Sequence, residues 1–212
     1  MIRRLPVYLL IDTSGSMHGE AIEAVRSGIQ LLQNSLNEDP NALETAWVSV
    51  ITFNSDAKQV VPLTEVMAFQ APEVQAGGCT ALGAALKLLV DCAKSEVRKS
   101  TPDQKGDWRP LVFIMTDGVP TDDFQAGIEA MRMMKFGIVV GCAVGPNASE
   151  SVLKQITENV VSLDRADSTT LKQFFRWVSS SISTSSKAAE QKGDQEGTLG
   201  DLPPPPPSIS IL

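Results

Sequence analysis

The chain has 212 residues, enough for one good-sized domain with material to spare, and 42% of them are hydrophobic while only 5% are aromatic. Its formal charge of −7 argues against a general nucleic-acid binder, because neutralising phosphates needs a basic face. No apolar run reaches the roughly 18 residues of a membrane span, and the three cysteines (Cys79, Cys92, Cys142) are too widely spaced for a zinc knuckle or a disulfide framework. Their number and spacing predict a protein of the reducing cytoplasm.

The stretch MIRRLPVYLLID carries two arginines and a short apolar run. That run ends on Asp12 with no small-residue cleavage site, so it reads as a first strand rather than a secretion signal. Residues 7–11 are nearly all apolar, as in a strand covered on both faces. Ile22, Val25, Ile29, Leu32 and Leu36 recur at steps of three and four and predict an amphipathic helix. Residues 47–53 and 57–61 read as strands, and the turn Asn54-Ser55-Asp56 between them predicts an antiparallel hairpin. Leu82, Leu86, Leu89, Ala93 and Val97 give a second helix face. After the polar connection KSTPDQKGD come a strand in PLVFIMTD, a helix marked by Phe124, Ile128 and Met131, and a strand over 137–143. A short helix over 152–156, a last strand over 160–163 and a last helix through Leu171, Phe174, Phe175, Val178 and Ile182 complete the pattern.

Strands alternating with helices predict an α/β fold. The sheet is doubly wound, mostly parallel and six-stranded, with one antiparallel edge strand and helices on both faces. Residues 1–186 form this domain. Residues 187–212, polar and glycine-bearing with a proline run at 203–207, read as a flexible tail containing a polyproline II segment.

In an open parallel sheet, ligand sites form at the carboxyl ends of the strands. Three loops with suitable chemistry converge there: DTSGS after the first strand, GGCT before a helix, and TDG after the strand LVFIM. They offer two carboxylates, Asp12 and Asp117, and three hydroxyls, Ser14, Ser16 and Thr80. An all-oxygen set suits a hard divalent cation, Mg²⁺, with Mn²⁺ meeting the same preference.

The set Asp12-x-Ser14-x-Ser16, Thr80 and Asp117-Gly118 resembles the metal-ion-dependent adhesion site (MIDAS) of von Willebrand factor type A (VWA) domains. The resemblance extends over residues 5–186. The flanking MHGEAIEAVRSGIQLL and TDGVPTDD look most like the bacterial tellurite-resistance, TerY-type branch. It implies that Ser14, Ser16 and Thr80 ligate the metal directly, and that Asp12 and Asp117 act directly or through water. An acidic side chain from a partner protein then completes the coordination. It further implies a cytoplasmic, non-enzymatic interaction module in a bacterial stress or tellurite-resistance system, linked with a protein kinase and a PP2C-type phosphatase. The rival reading is a Mg²⁺-dependent phosphohydrolase with Asp12 as nucleophile; against it, position 14 is serine, where such enzymes carry a second acid.

The remaining features have plainer readings. His18, the only histidine, lines the rim of the metal face, and no G-x-S-x-G elbow supports a Ser-His-Asp triad. Cys79 reads as a small buried filler, and Met131, Met133 and Met134 as core or helix-edge packing. GCAVGPNAS lacks the G-x-G-x-x-G spacing of a nucleotide loop. SSSISTSS reads equally as a phosphate acceptor or a frayed helix end, and PPPPP reads as a spacer, with a docking ligand for a polyproline-binding groove as the alternative.

Overall fold

Every residue of β1 (Leu5–Asp12) is buried, which places this strand in the middle of the sheet. A computed structural model of the protein describes residues 3–146, 148–192 and 198–212, with backbone alone for 188–192. Seven strands line up in the order β3-β2-β1-β4-β5-β6-β7. These are β2 (Ala46–Phe53), β3 (Ala57–Glu65), β4 (Leu111–Thr116), β5 (Val139–Val144), β6 (Val160–Leu163) and β7 (Ile209–Ile211). β1, β2, β4, β5 and β6 are mutually parallel, and β3 and β7 are antiparallel edges.

Side chains alternate across a strand, so β1 feeds two cores. Leu5, Val7, Leu9 and Ile11 pack on one face with α1 (Glu20–Asn37), α2 (Pro40–Thr45) and α6 (Ser168–Lys192). Tyr8 and Leu10 pack on the other with α3 (Leu82–Glu96), α4 (Phe124–Arg132) and α5 (Glu150–Ile156). Among the described residues, no helix is long and apolar enough to cross a membrane.

The expected hairpin is present as β2 and β3, with β3 continuing to Glu65. Pro62 is tolerated there because an edge strand can spare a ladder donor. The sequence reading did not anticipate α2. Asp39 caps it by accepting from the backbone N–H groups of Asn41 and Ala42, with Pro40 in its first turn. The dipeptide Asp39-Pro40 was the available signal.

The last segment corrects the expectation of six strands with one antiparallel edge. β7 pairs with β6, matching Val161 to Ile211 and Leu163 to Ile209, and makes a seventh strand and a second antiparallel edge. The expected boundary at 186/187 falls inside α6, which runs to Lys192. Of the expected flexible tail, 193–197 lie outside the described residues, whereas 198–212 run along the domain and dock at a few points. Leu202 and Ile209 are buried in the core, Trp177 Nε1 donates to Pro203 O at 2.8 Å, and Leu199 N donates to Asn159 Oδ1 at 3.1 Å. Two terms favour docking over solvation. Prolines have little backbone freedom to lose on ordering, and the strand covers the otherwise unpaired edge of β6.

At the end of the sheet where β1 and β4 begin, Arg4 Nε donates to Asp107 Oδ1 at 2.9 Å while its guanidinium lies 4.6 Å from the Trp47 ring centroid. Arg3 Nε donates to Gly106 O at 2.7 Å. Beside them the Tyr8 phenol donates to Glu96 at 2.9 Å, and burial raises its pKa further above the ordinary tyrosine range. These contacts anchor the base of the connection between α3 and β4.

Candidate metal centre

β1 ends on Asp12, which is fully buried. Both its oxygens are occupied: Ser14 N donates to Oδ1 at 2.8 Å and Thr116 Oγ1 to Oδ2 at 2.6 Å. The chain then enters a single 3-10 turn, Gly15–Met17, anchored by the buried Met17. That turn swings the two serines onto one side, with Ser14 Oγ and Ser16 Oγ 3.0 Å apart. Ser16 Oγ in turn donates to Asp117 Oδ1 at 2.7 Å. Asp117 follows β4, the neighbour of β1, so the two loops leave adjacent strand ends.

The third loop is fastened to the other two. Gly15 N donates to Gly78 O at 3.0 Å and Gly77 N to Thr13 O at 2.9 Å. Gly78 has φ +77°, and a Cβ there would lie 2.4 Å from Ser55 Oγ, so this position requires glycine on both counts. Thr80 N donates to Thr121 Oγ1 at 3.1 Å, and Thr121 N returns a bond to Thr80 O at 2.9 Å. A Cβ on Gly118 would lie 3.2 Å from Thr80 Oγ1, so Thr80 directly faces the Asp117-Gly118 backbone. All five expected residues therefore meet in one crevice.

Burial is the largest influence on both carboxyls and raises their pKa above the ordinary value. Hydrogen bonds from Ser14 and Thr116 oppose this at Asp12, where the charge of Asp117 adds to the rise. Two partly desolvated carboxylates in one crevice have electrostatic cause to take up a cation. The oxygen spacings fit one. Adjacent ligands of an octahedral ion at about 2.1 Å stand about 3 Å apart, close to the Ser14–Ser16 and Ser16–Asp117 separations. The donors present therefore suit a small hard cation.

Several supporting residues were missed in the sequence. Thr116 fixes Asp12, and Thr121 fixes Thr80. Asp122 accepts from Gly83 N at 3.0 Å and Ala84 N at 2.7 Å, capping α3 from the Asp117 loop. Gly83 and Gly127 let α3 and α4 touch backbone to backbone; a Cβ on Gly83 would lie 2.4 Å from Asp123 O, and one on Gly127 2.7 Å from Gly83 O. The string TDGVPTDD held the signal, since an Asp or Thr shortly after a strand is a ready capping group.

Other expectations change. Cys79 is exposed at the loop crest, not a buried filler, because the turn at Gly78 lifts it clear of the core. Burial raises the Cys142 thiol and pushes Cys92 up to about 11. Met131 is buried, but Met133 is 82% exposed just beyond the end of α4. His18 is exposed and lines a shallow groove with Glu20, Glu23 and Arg26. In SSSISTSS, Ser179 and Ser181 are buried and bonded back to the carbonyls of Phe175 and Trp177, so the stretch is intact helix.

The comparisons with known proteins agree with this architecture. The model of the von Willebrand factor type A domain family matches residues 7–177. An uncharacterised Synechocystis sp. protein, sll0103, is 33% identical over 123 residues; the match covers 55% of this chain and 26% of that protein. The fold is similar to von Willebrand factor type A from Catenulispora acidiphila, with TM-score 0.66, 18% identity and coverage of 86% of this chain and 43% of that one. It is also similar to the pilus adhesin SpaC from Lactobacillus rhamnosus GG, with TM-score 0.66, 14% identity and coverage of 86% and 31%. The chain thus spans about a quarter of the curated relative it matches and less than half of each of these two structures. With residues 7–177, most of its length, matched by the family model, the chain belongs to the von Willebrand factor type A domain family.

Proposed function

We propose that this protein is a non-enzymatic interaction module that captures a partner protein by sharing a divalent cation, Mg²⁺ or Mn²⁺, with a carboxylate of the partner. VWA is a fold of protein interaction and adhesion. In this reading Ser14, Ser16 and Thr80 hold the cation directly, as in a MIDAS, and Asp12 and Asp117 hold it directly or through water. The cation supplies an electrophilic position for the incoming carboxylate. The observation that carries the reading is the convergence of three oxygen-bearing side chains from two adjacent strand ends, with Ser16 linked to Ser14 at 3.0 Å and to Asp117 at 2.7 Å.

Neutral hydroxyls donate little charge, so the cation stays attractive to an outside anion. The phosphohydrolase reading loses ground at position 14, where a serine stands in place of a second acid and its hydroxyl is linked to Ser16 at 3.0 Å. The flanking sequences resembling the TerY-type branch support a cytoplasmic setting in bacterial tellurite or stress resistance, with a protein kinase and a PP2C-type phosphatase as associates.

Thr80→Ala tests the reading, because it removes one neutral donor without deleting a buried charge. The variant is expected to keep a native circular dichroism spectrum and to lose both Mg²⁺-dependent stabilisation and partner capture. Capture that survives Thr80→Ala and EDTA alike would move recognition to another surface.

A further inference from the structure

The two ends of the sheet differ in charge. Loops leaving the carboxyl ends of the strands carry Asp56, Asp117, Asp122 and Asp123 on the side of the candidate metal centre, with Lys58 at the start of β3 and Asp164 and Arg165 two strands beyond β4. At the opposite end, the connection from α3 to β4 carries Arg98, Lys99, Lys105 and Arg109 with Asp103 and Asp107, and the neighbouring segments add Glu38, Asp39, Glu65 and Glu158. Acidity is therefore concentrated around the metal centre, while at the other end charges of both signs nearly balance and the connection from α3 to β4 is the locally basic stretch.

The basic connection also presents a carboxylate. Thr101 and Gln104 exchange backbone hydrogen bonds, N to O at 2.8 Å and 3.4 Å, closing a tight turn whose two tip residues are Pro102 and Asp103. Proline presets the backbone for such a turn, and aspartate is at home beside it. Residues 98–105 are all exposed, so Asp103 projects from a narrow spur between Lys99 and Lys105. The base of the spur is fixed: Asp107 N donates to Arg98 O at 2.9 Å, Gly106 N to Ser100 Oγ at 2.9 Å, and Arg4 grips Asp107.

The metal centre needs a visitor of this shape. Asp12, Ser14 and Thr80 are nearly inaccessible, and Ser16 is the exposed member of the set. A recessed cation is reached by a carboxylate on a thin protrusion rather than one on a flat surface. The rim is acidic, so the visitor is best flanked by cations.

We propose that a second copy of this chain supplies that visitor, with Asp103 of one copy completing the metal coordination of the next in a head-to-tail contact. The proposal rests on the metal-bridged reading above and names the partner for that site. Such a contact is heterologous: each copy uses a different surface at its two ends, so the assembly grows as an open chain or closes as a ring. The net charge of −7 opposes association, and attraction comes from Lys99 and Lys105 beside Asp103 meeting the acidic rim. Assembly therefore weakens as salt shortens the Debye length toward about 8 Å at physiological ionic strength.

The test is sedimentation velocity on the full chain over a concentration series, with Mg²⁺ or EDTA, alongside thermal melts in the same buffers. Wild type is expected to form species larger than the monomer in Mg²⁺ and to be monomeric in EDTA. Asp103→Asn and Thr80→Ala are each expected to remain monomeric, and Asp103→Asn to keep the full melting shift with Mg²⁺. Mixed together they should form a dimer that grows no further, since each brings one working end. If Thr80→Ala misfolds, Ser16→Ala replaces it. Wild type that is stabilised by Mg²⁺ yet monomeric throughout, or Asp103→Asn that assembles like wild type, overturns this proposal and leaves the metal centre standing. A wild type indifferent to Mg²⁺ in both measurements overturns both.

Discussion

Ser16 Oγ donates to Asp117 Oδ1 at 2.7 Å although 101 residues separate them in the chain. The contact exists because β4 lies beside β1, with β2 on the other side of β1. Connections from neighbouring strands diverge at such a point and leave a crevice. In this protein the crevice is filled with hydroxyls and carboxylates, and its behaviour can be tested in three ways.

Metal and pH act on the same two carboxyls. Burial raises the pKa of Asp12 and Asp117 in the folded protein, so the folded state holds these protons more tightly than the unfolded chain. Metal-free stability therefore falls as pH rises from the ordinary carboxylate value through the raised one. Mg²⁺ should reverse this, and its stabilisation should grow with pH over that window, reaching about 2.7 kcal/mol at 100 times the dissociation constant. Asp117→Asn should raise the melting temperature in EDTA at neutral pH and abolish the response to Mg²⁺. Calorimetric melts with and without EDTA across the acidic range would read both effects.

Thr116 holds one oxygen of Asp12 at 2.6 Å. Thr116→Val keeps the side-chain shape and leaves that buried oxygen without its donor, which costs about 1–3 kcal/mol. Loss of such an orienting group weakens metal affinity by about 10–100-fold. Titration calorimetry with Mg²⁺ should show the weaker binding; unchanged affinity would mean that Thr116 is only a packing residue.

Gly83 and Gly28 separate site effects from fold effects. A Cβ at Gly83 would meet Asp123 O at 2.4 Å, pushing α3 from the Asp117 loop, whereas one at Gly28 would meet the Phe175 ring at 2.0 Å between α1 and α6. Each alanine substitution should destabilise by about 1–3 kcal/mol through overpacking. Gly83→Ala should also reduce the Mg²⁺-induced melting shift, while Gly28→Ala should leave that shift intact. Equal shifts in the two variants would uncouple helix spacing from the metal centre.

The carboxyl-terminal segment should matter to stability. Removing residues 198–212 takes away buried Leu202 and Ile209 and uncovers the edge of β6. The melting temperature should drop by several degrees, and Leu202→Ala alone should cost about 2 kcal/mol. Trp177 loses its Pro203 acceptor, so its fluorescence should report the same transition. A truncated chain that melts like the full one would return the segment to the status of a loose tail.

The alternation of apolar runs and helical periodicity determined the class of fold, because burial on both faces leaves its mark on consecutive residues such as Val7 to Ile11. The five oxygen-bearing residues were also legible as candidates, since their side-chain chemistry is local and polar breaks mark the two strand ends and the approach to α3 where they sit. Only the tertiary structure decided what holds them. Thr116, Thr121 and Asp122 act through partners far along the chain, and the glycines at 83 and 127 matter because two helices meet there. The fate of the last residues was likewise a tertiary matter. A short apolar pair beside five prolines has no core of its own, and it becomes a strand because β6 offers it an edge.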